Sequence, residues 1–333
     1  MNRILRLIGG LLLLLVVFAA AGLLYVRYAL PDVGPPPELT IRADSAQIAR
    51  GQYLAHHVAL CVDCHSTRDW SRINGPMVAG TEGKGGEGFL REWGFPGNYY
   101  APNITPAHLG TWSDGEIYRA ITTGVSRDGH ALFPVMPYKN FGQADRADVE
   151  AIIAYIRSLK PIENKAIPAS VSDFPMTFIL NTIPGKNEHR PRPNPADELA
   201  YGSYLTSFAG CSDCHTPVND KGEQLQDMYM AGGREFPMPG GTVRAANLTP
   251  HASSGMPSYT KEAFVARFRA YANTNTAHPT VGEDGFNSVM PWTMYGGMTE
   301  QDLGAIYTYL KSLKPVDHRV ERFSPKGAQV ARL

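Results

Sequence analysis

The 333-residue chain balances 31 Lys and Arg against 31 Asp and Glu, so it lacks the one-sided field that a nucleic-acid partner or a strongly charged substrate would call for. With 43% hydrophobic residues it is long and apolar enough for two domains of ordinary size, and 33 glycines and 26 prolines point to long ordered loops. Four cysteines are too few for a disulfide-dense secreted scaffold of this length.

The first element is a run of 20 uncharged residues, Leu7 to Val26, flanked by Arg3 and Arg6 on one side and Arg27 on the other. Its length matches a helix crossing the hydrocarbon core and exceeds the apolar region of a secretory signal, about 7–15 residues. Residues 1–28 are therefore read as a membrane anchor in preference to a cleaved signal, although Ala19-Ala20-Ala21 imitates a cleavage site. The basic flank favours a cytoplasmic N-terminus, which leaves the rest of the chain, after a 29–44 linker, in the periplasm of a bacterium with a single pass through the inner membrane.

All four cysteines fall in two copies of one pattern, Cys61-Val62-Asp63-Cys64-His65 and Cys211-Ser212-Asp213-Cys214-His215. C-x-x-C-H is the attachment site of a c-type haem: both thiols become thioethers to the porphyrin, and the adjacent imidazole reaches the iron. A zinc ribbon would bring its second pair in after about 15–20 residues, and a redox dithiol needs neither the histidine nor this context. Two covalently bound haem c groups are expected, on Cys61 and Cys64 and on Cys211 and Cys214, with His65 and His215 as iron ligands.

The second half echoes the first. Arg50-Gly51-Gln52-Tyr53-Leu54 returns as Tyr201-Gly202-Ser203-Tyr204-Leu205, Asn103-Ile104-Thr105-Pro106 as Asn247-Leu248-Thr249-Pro250, Val135-Met136-Pro137-Tyr138 as Val289-Met290-Pro291-Trp292, and Ile156 to Pro161 as Leu310 to Pro315. Four matches in one order mean a unit used twice. Helix is expected before each motif, over Gln47 to Leu60 and Leu199 to Ala209. An amphipathic helix closes each unit, with apolar stripes at Val149, Ile152, Ile153, Ile156 and Leu159 and at Leu303, Ile306, Tyr307, Leu310 and Leu313. Both helices stop at Leu-Lys-Pro, and Thr299 with Asp302 resembles a capping box. Residues 75–97, rich in glycine, read as an ordered loop over the haem. The proline-rich connector 166–195 carries Phe174, Met176, Phe178, Ile179 and Leu180, so it is expected to pack against one or both units.

Met136 follows His65 by 71 residues and Met290 follows His215 by 75, each in a Met-Pro dipeptide shortly before the closing helix. They are the expected sixth ligands, soft thioethers that favour reduced iron and block the site to other ligands. Met77, Met230, Met294 and Met298 lack equivalent partners in register, with Met294 and Met298 as substitutes at the second haem. His56, His57, His130, His251 and His278 do not recur in register and read mostly as surface or loop residues.

With the haem motif, Asn103-Ile104-Thr105-Pro106, Trp112-Ser113-Asp114-Gly115-Glu116 and Met136-Pro137 in this order, the chain resembles the class I cytochrome c fold. It is similar to the cytochrome c subunits of membrane-bound alcohol and gluconate dehydrogenases, over about residues 45–318. Those subunits usually carry three haem motifs and a C-terminal membrane attachment, whereas this chain has two motifs and an N-terminal apolar run. Trp112 to Glu116 has no clear counterpart; Ser258 to Glu262 takes its place. The resemblance implies a mainly α architecture of two tandem class I cytochrome c domains, 45–165 and 196–318, with a tail at 319–333. It implies electron transfer, with a dehydrogenase as donor and the respiratory chain as acceptor. An electron carrier or complex subunit is favoured over a catalyst; the alternative is a diheme peroxidase, which needs one iron with an open coordination position.

Overall fold

The computed structural model describes residues 2–186, 188–219, 222–256, 259–272, 278–282 and 284–327. Ser258 and the end of the tail, 328–333, lie outside the described residues. The chain is mainly helical. Its first helix, α1 (Asn2–Tyr28), is long and apolar enough over Arg3–Tyr28 to cross a membrane and is not buried against the rest of the protein.

Two helical sets follow. The first comprises α2 (Ser45–Tyr53), α3 (Cys61–Cys64), α4 (Pro106–Leu109), α5 (Asp114–Thr123), α6 (Tyr138–Phe141) and α7 (Arg146–Ser158). After a short α8 (Met176–Ile179), the second comprises α9 (Glu198–Phe208), α10 (Cys211–His215), α11 (Lys261–Arg269), α12 (Trp292–Tyr295) and α13 (Glu300–Ser312). The helix before the first motif ends in a π-turn over Leu54–Val58. Leu159 and Leu313 leave the closing helices in extended conformation, one residue ahead of the lysines that Pro161 and Pro315 bar from helix.

In each half the pre-motif helix crosses the closing helix at a glycine. A Cβ on Gly51 would lie 1.8 Å from the Ala151 carbonyl oxygen, and one on Gly202 would lie 1.9 Å from that of Ala305. The shared Gly-Gln-Tyr and Gly-Ser-Tyr segments therefore mark the point of closest backbone approach. α5 and α11 occupy the same place in the two halves, but their caps differ. Ser113 and Glu116 form a complete capping box, while Thr260 accepts only from the Ala263 N–H.

The sequence reading did not anticipate strands. β1 (Gly88–Phe89), β2 (Gly97–Tyr100) and β3 (Val171–Ser172) form one antiparallel sheet, and β4 (Glu235–Met238), β5 (Gly241–Arg244) and β6 (Phe323–Pro325) form another. The glycine-rich loop thus contains the β1–β2 pair. In both sheets the third strand comes from beyond the closing helix, from the spans read as connector and tail.

The connector packs on the first half through much of its length. His189 Nδ1 donates to the Ala144 carbonyl at 2.5 Å, its ring is hydrogen-bonded to the Tyr118 hydroxyl, and Arg192 reaches Asp148 at 2.7 Å. Its apolar residues only partly follow: Phe174 and Ile179 stay exposed.

The halves share one apolar core, and two reciprocal contacts register them. The Tyr204 hydroxyl, from the second half, donates to Asp148 at 2.7 Å and accepts from the Asp145 N–H at 3.2 Å. The Tyr53 hydroxyl, from the first half, donates to Asp302 at 2.5 Å and accepts from the Thr299 N–H at 3.1 Å. The expected Thr299–Asp302 box is therefore half internal: Thr299 accepts from the Asp302 N–H at 3.1 Å, and Tyr53 takes the place of the reciprocal bond.

Several histidines read as surface groups are not. His278 is 1% exposed, and His57 donates Nδ1 to the Met294 carbonyl at 2.7 Å across the halves. His56 lies 2.7 Å from the Tyr155 hydroxyl.

Two predictions follow from this packing. Gly202→Ala should destabilise the fold by on the order of 3 kcal/mol, read as a lower urea midpoint, because backbone must move. Gly304→Ala, which meets only the Lys261 side chain at 3.4 Å, should be tolerated. Burial, then the neighbouring His57, pushes His56 from 6.5 down to about 4. The unfolded chain takes up a proton that the folded chain refuses, so stability should hold above pH 6.5 and decline between pH 6.5 and about 4. His56→Gln should flatten that decline in urea unfolding measured across the range.

Candidate functional site

Each Cys-x-x-Cys-His segment begins with a residue in the left-handed region that ends the preceding helix: Leu60 at φ 57° and Gly210 at φ 66°. The new short helix then places the two cysteines one turn apart. All four thiols are free of disulfides, and the two pairs stay in separate halves. Among the described residues, no group of three His, Cys, Asp or Glu side chains forms a metal-binding cluster, as a zinc site would require.

The repeated Asn-x-Thr-Pro segment orients each histidine. Asn103 donates Nδ2 to the Ile162 carbonyl at 2.6 Å and accepts from the Thr105 N–H and hydroxyl at 2.8 and 2.7 Å. Asn247 repeats this with the Val316 carbonyl at 2.9 Å and Thr249 at 2.9 and 2.7 Å. These bonds fix the chain that leaves each closing helix against the peptide just before the asparagine. That peptide's carbonyl accepts from a histidine Nδ1: Pro102 from His65 at 2.7 Å, Ala246 from His215 at 2.8 Å. A carbonyl only accepts, so Nδ1 carries the proton and Nε2 keeps its lone pair for a metal. Gly85 and Gly232, at φ 73° and 74°, close the arrangement by donating to the carbonyls of His65 and His215. Their missing side chains leave room for the Pro102 and Ala246 peptides.

Electrostatics agree with neutral ligands. Burial lowers the pKa of both imidazoles, His215 to about 4, so each is in its uncharged, coordinating form at neutral pH. Burial raises Cys61, Cys64 and Cys211 to about 12 and Cys214 to about 11. A thiolate is disfavoured there, whereas an uncharged thioether suits the site.

Met136 and Met290 sit at identical turns. Pro137 (φ −78°, ψ 55°) and Pro291 (φ −81°, ψ 61°) are the centres of inverse γ-turns, closed by Tyr138 N–H to Met136 carbonyl at 2.7 Å and Trp292 N–H to Met290 carbonyl at 2.8 Å. In the second half Cys211, Cys214, His215 and Met290 line one cavity of about 420 Å³. In the first, Cys61 and Met136 pack against the same apolar core. Met230 and Met298 are wholly buried, and Met294 nearly so.

Other groups escaped the sequence reading. The second-half cavity is also lined by Arg267 and Arg322. Among the described residues neither has a carboxylate within ion-pair distance, and burial together with Arg267 lowers the pKa of Arg322. Both are exposed at the rim, where Arg267 lies over the Tyr271 and Trp292 rings and Arg322 Nε donates to the Arg244 carbonyl at 3.1 Å, and the propionates of a haem could meet them there. In the first half Arg68 is buried against Asp63 at 3.3 Å and stacks over Trp70 at 4.1 Å, whose indole N–H donates to Glu87 at 2.6 Å. Asp213, the counterpart of Asp63, accepts from Asn140 at 2.7 Å, and its backbone carbonyl accepts from Arg234. No repeat in the sequence singles out these arginines. The donor set, the free imidazole nitrogens and the cations at the rim of an apolar cavity fit a covalent haem.

No family model matches the chain. It is 29% identical over 292 residues, 82% of its length, to the cytochrome c subunit of a quinone-type alcohol dehydrogenase from Gluconacetobacter polyoxogenes, covering 57% of that subunit. It is 28% identical over 286 residues to the fructose dehydrogenase cytochrome subunit of Gluconobacter japonicus, covering 81% of this chain and 53% of that one. A diheme cytochrome c-type protein of Cereibacter sphaeroides is 27% identical over 250 residues, 73% of this chain and 78% of the relative. The chain spans little more than half the length of the two dehydrogenase subunits. Over most of its own length it resembles the cytochrome subunits of alcohol and fructose dehydrogenases and a diheme cytochrome c.

Proposed function

We propose that the protein is a membrane-anchored diheme cytochrome c. In this reading residues 45–165 and 196–318 are two class I cytochrome c units, joined to haem through Cys61 and Cys64 and through Cys211 and Cys214. His65 with Met136 and His215 with Met290 would hold the two irons. The protein accepts electrons from a dehydrogenase in the periplasm and passes them toward the respiratory chain, held to the inner membrane by α1. The observation that carries the reading is the meeting of Cys211, Cys214, His215 and Met290 on one cavity.

Haem supplies a one-electron change at iron, and the chain's residues set its conditions. The Pro102 and Ala246 carbonyls hold the imidazoles in the ligating tautomer. The thioethers of Met136 and Met290 would favour reduced iron and keep peroxide and carbon monoxide from it. Arg267 and Arg322 offset the negative charge of the propionates.

Met136→Ala or Met290→Ala should each remove one Met-to-iron band from the oxidised spectrum, lower one midpoint potential and let carbon monoxide bind the reduced protein. Survival of both bands would overturn the assignment of Met136 and Met290, and rapid carbon monoxide binding with peroxide turnover by the unaltered protein would sink the carrier reading in favour of an open-iron enzyme. Arg322→Gln should lower one potential by about 60 mV, a tenfold change in a one-electron equilibrium. The other potential should stay put in the same redox titration.

A further inference from the structure

The connector presents an apolar face beside the end of α1. Phe174 is 82% exposed, Val171 54% and Ile179 44%, and Phe174 meets Phe178 edge to face at 6.4 Å between ring centres. This face is held rigidly. β3 pairs with β2, Asp173 forms an ion pair with Arg91 at 2.6 Å, and the Asp173 N–H donates to the Pro96 carbonyl at 3.0 Å. Asn181 donates Nδ2 to the Val26 carbonyl at 3.1 Å, in the last turns of α1. Tyr25 and Tyr28 are exposed at the same level, with the Arg27 guanidinium 5.8 Å from the Tyr28 ring. Tyrosines and arginine at the end of an apolar helix mark the membrane–water boundary.

We infer that residues 171–180 sit on the lipid surface, with Phe174 and Ile179 dipping into the boundary between headgroups and acyl chains. The occupant is the bilayer that surrounds α1, because Asn181 ties this segment to the helix at the depth where the bilayer ends. The apolar side chains lie exposed beside the helix instead of in the protein core, as a lipid-seated segment requires. With α1 alone the soluble part would pivot on residues 29–36, since Pro37 packs on Gly115 and the Ile41 N–H donates to Asp114 at 2.8 Å. A second contact, fixed to β2, gives the first half one orientation on the membrane.

This inference rests on the anchor reading of α1, and the test separates the two. The full-length haem-loaded protein is placed in phospholipid nanodiscs with a single nitroxide on Phe174→Cys, Ile179→Cys, Leu14→Cys or Glu300→Cys. Relaxation of the label by oxygen, which concentrates in lipid, is compared with relaxation by a water-soluble nickel chelate. The oxygen-to-nickel ratio at 174 and 179 should exceed that at 300 severalfold and approach that at 14. A lipid-like ratio at 14 with water-like ratios at 174 and 179 overturns the inference and leaves the anchor standing. Shielding of 174 and 179 from both reagents, the mark of a protein partner, overturns it equally. A water-like ratio at 14, or loss of that label by cleavage, overturns both readings.

Discussion

Two buried carboxylates, Asp148 and Asp302, organise the molecule because each must find donors it cannot obtain from its own helix turn. A buried carboxylate without partners costs several kcal/mol, so its donors are in effect compulsory. Asp148 receives the Arg50 guanidinium at 3.0 Å, Arg192 of the connector at 2.7 Å and Tyr204 of the other half at 2.7 Å. Asp302 receives Tyr53 from the first half. Each tyrosine ends the same repeated segment and caps the closing helix of the opposite unit, so the exchange is reciprocal. The repeat thus does more than double one fold: it supplies both members of a cross-unit lock.

That lock sets where the two candidate sites lie relative to each other. The turn after each Met-Pro packs on the opposite half beside its cysteine motif. Asn140 of α6 donates to Asp213, inside the second motif. The Met294 carbonyl, before α13, accepts from His57 of the first half, four residues before Cys61, while Tyr295 of α12 donates its hydroxyl within its own half to the Ala209 carbonyl at 2.8 Å, two residues before Cys211. The segments that present Met136 and Met290 are therefore braced from the partner unit as well as from their own. The two halves thus meet through a few hydrogen bonds beside the cysteine motifs.

Local patterns were legible in the sequence, and long-range chemistry was not. The closing helices, their stop at Leu-Lys-Pro and the helices before each motif follow from apolar periodicity and proline, which act within a few residues. The Asn-x-Thr-Pro repeat was visible, yet its role was hidden, because its partners at Ile162 and Val316 lie 59 and 69 residues away. The strands escaped because they are two to four residues long and broken by glycine and proline, which leaves no period to read. His56 and His57 looked like surface groups because imidazole is polar; burial and hydrogen bonds to Tyr155 and Met294 keep them inside. At the first motif the sequence also concealed a strained start: Leu60 occupies a left-handed conformation that costs about 1–2 kcal/mol, where the second unit uses Gly210.

The same framework surrounds its two sites with different charges. Asn-x-Thr-Pro, the histidine-to-carbonyl bonds and the Met-Pro turns coincide in both halves, so geometry alone does not distinguish them. Around the first motif Arg68 is matched by Asp63, and Glu87 lies beside it on Trp70. Around the second, Arg267 and Arg322 face the cavity without a matching carboxylate among the described residues. Arg267 and Arg322 lie at the exposed rim of their cavity, whereas the matched Arg68 is buried, so the two sites differ in both the pairing and the solvation of their cations. The repeated segments therefore share their hydrogen bonds while the side chains around them differ, and in this fold those side chains are where the two candidate sites acquire separate electrostatic character.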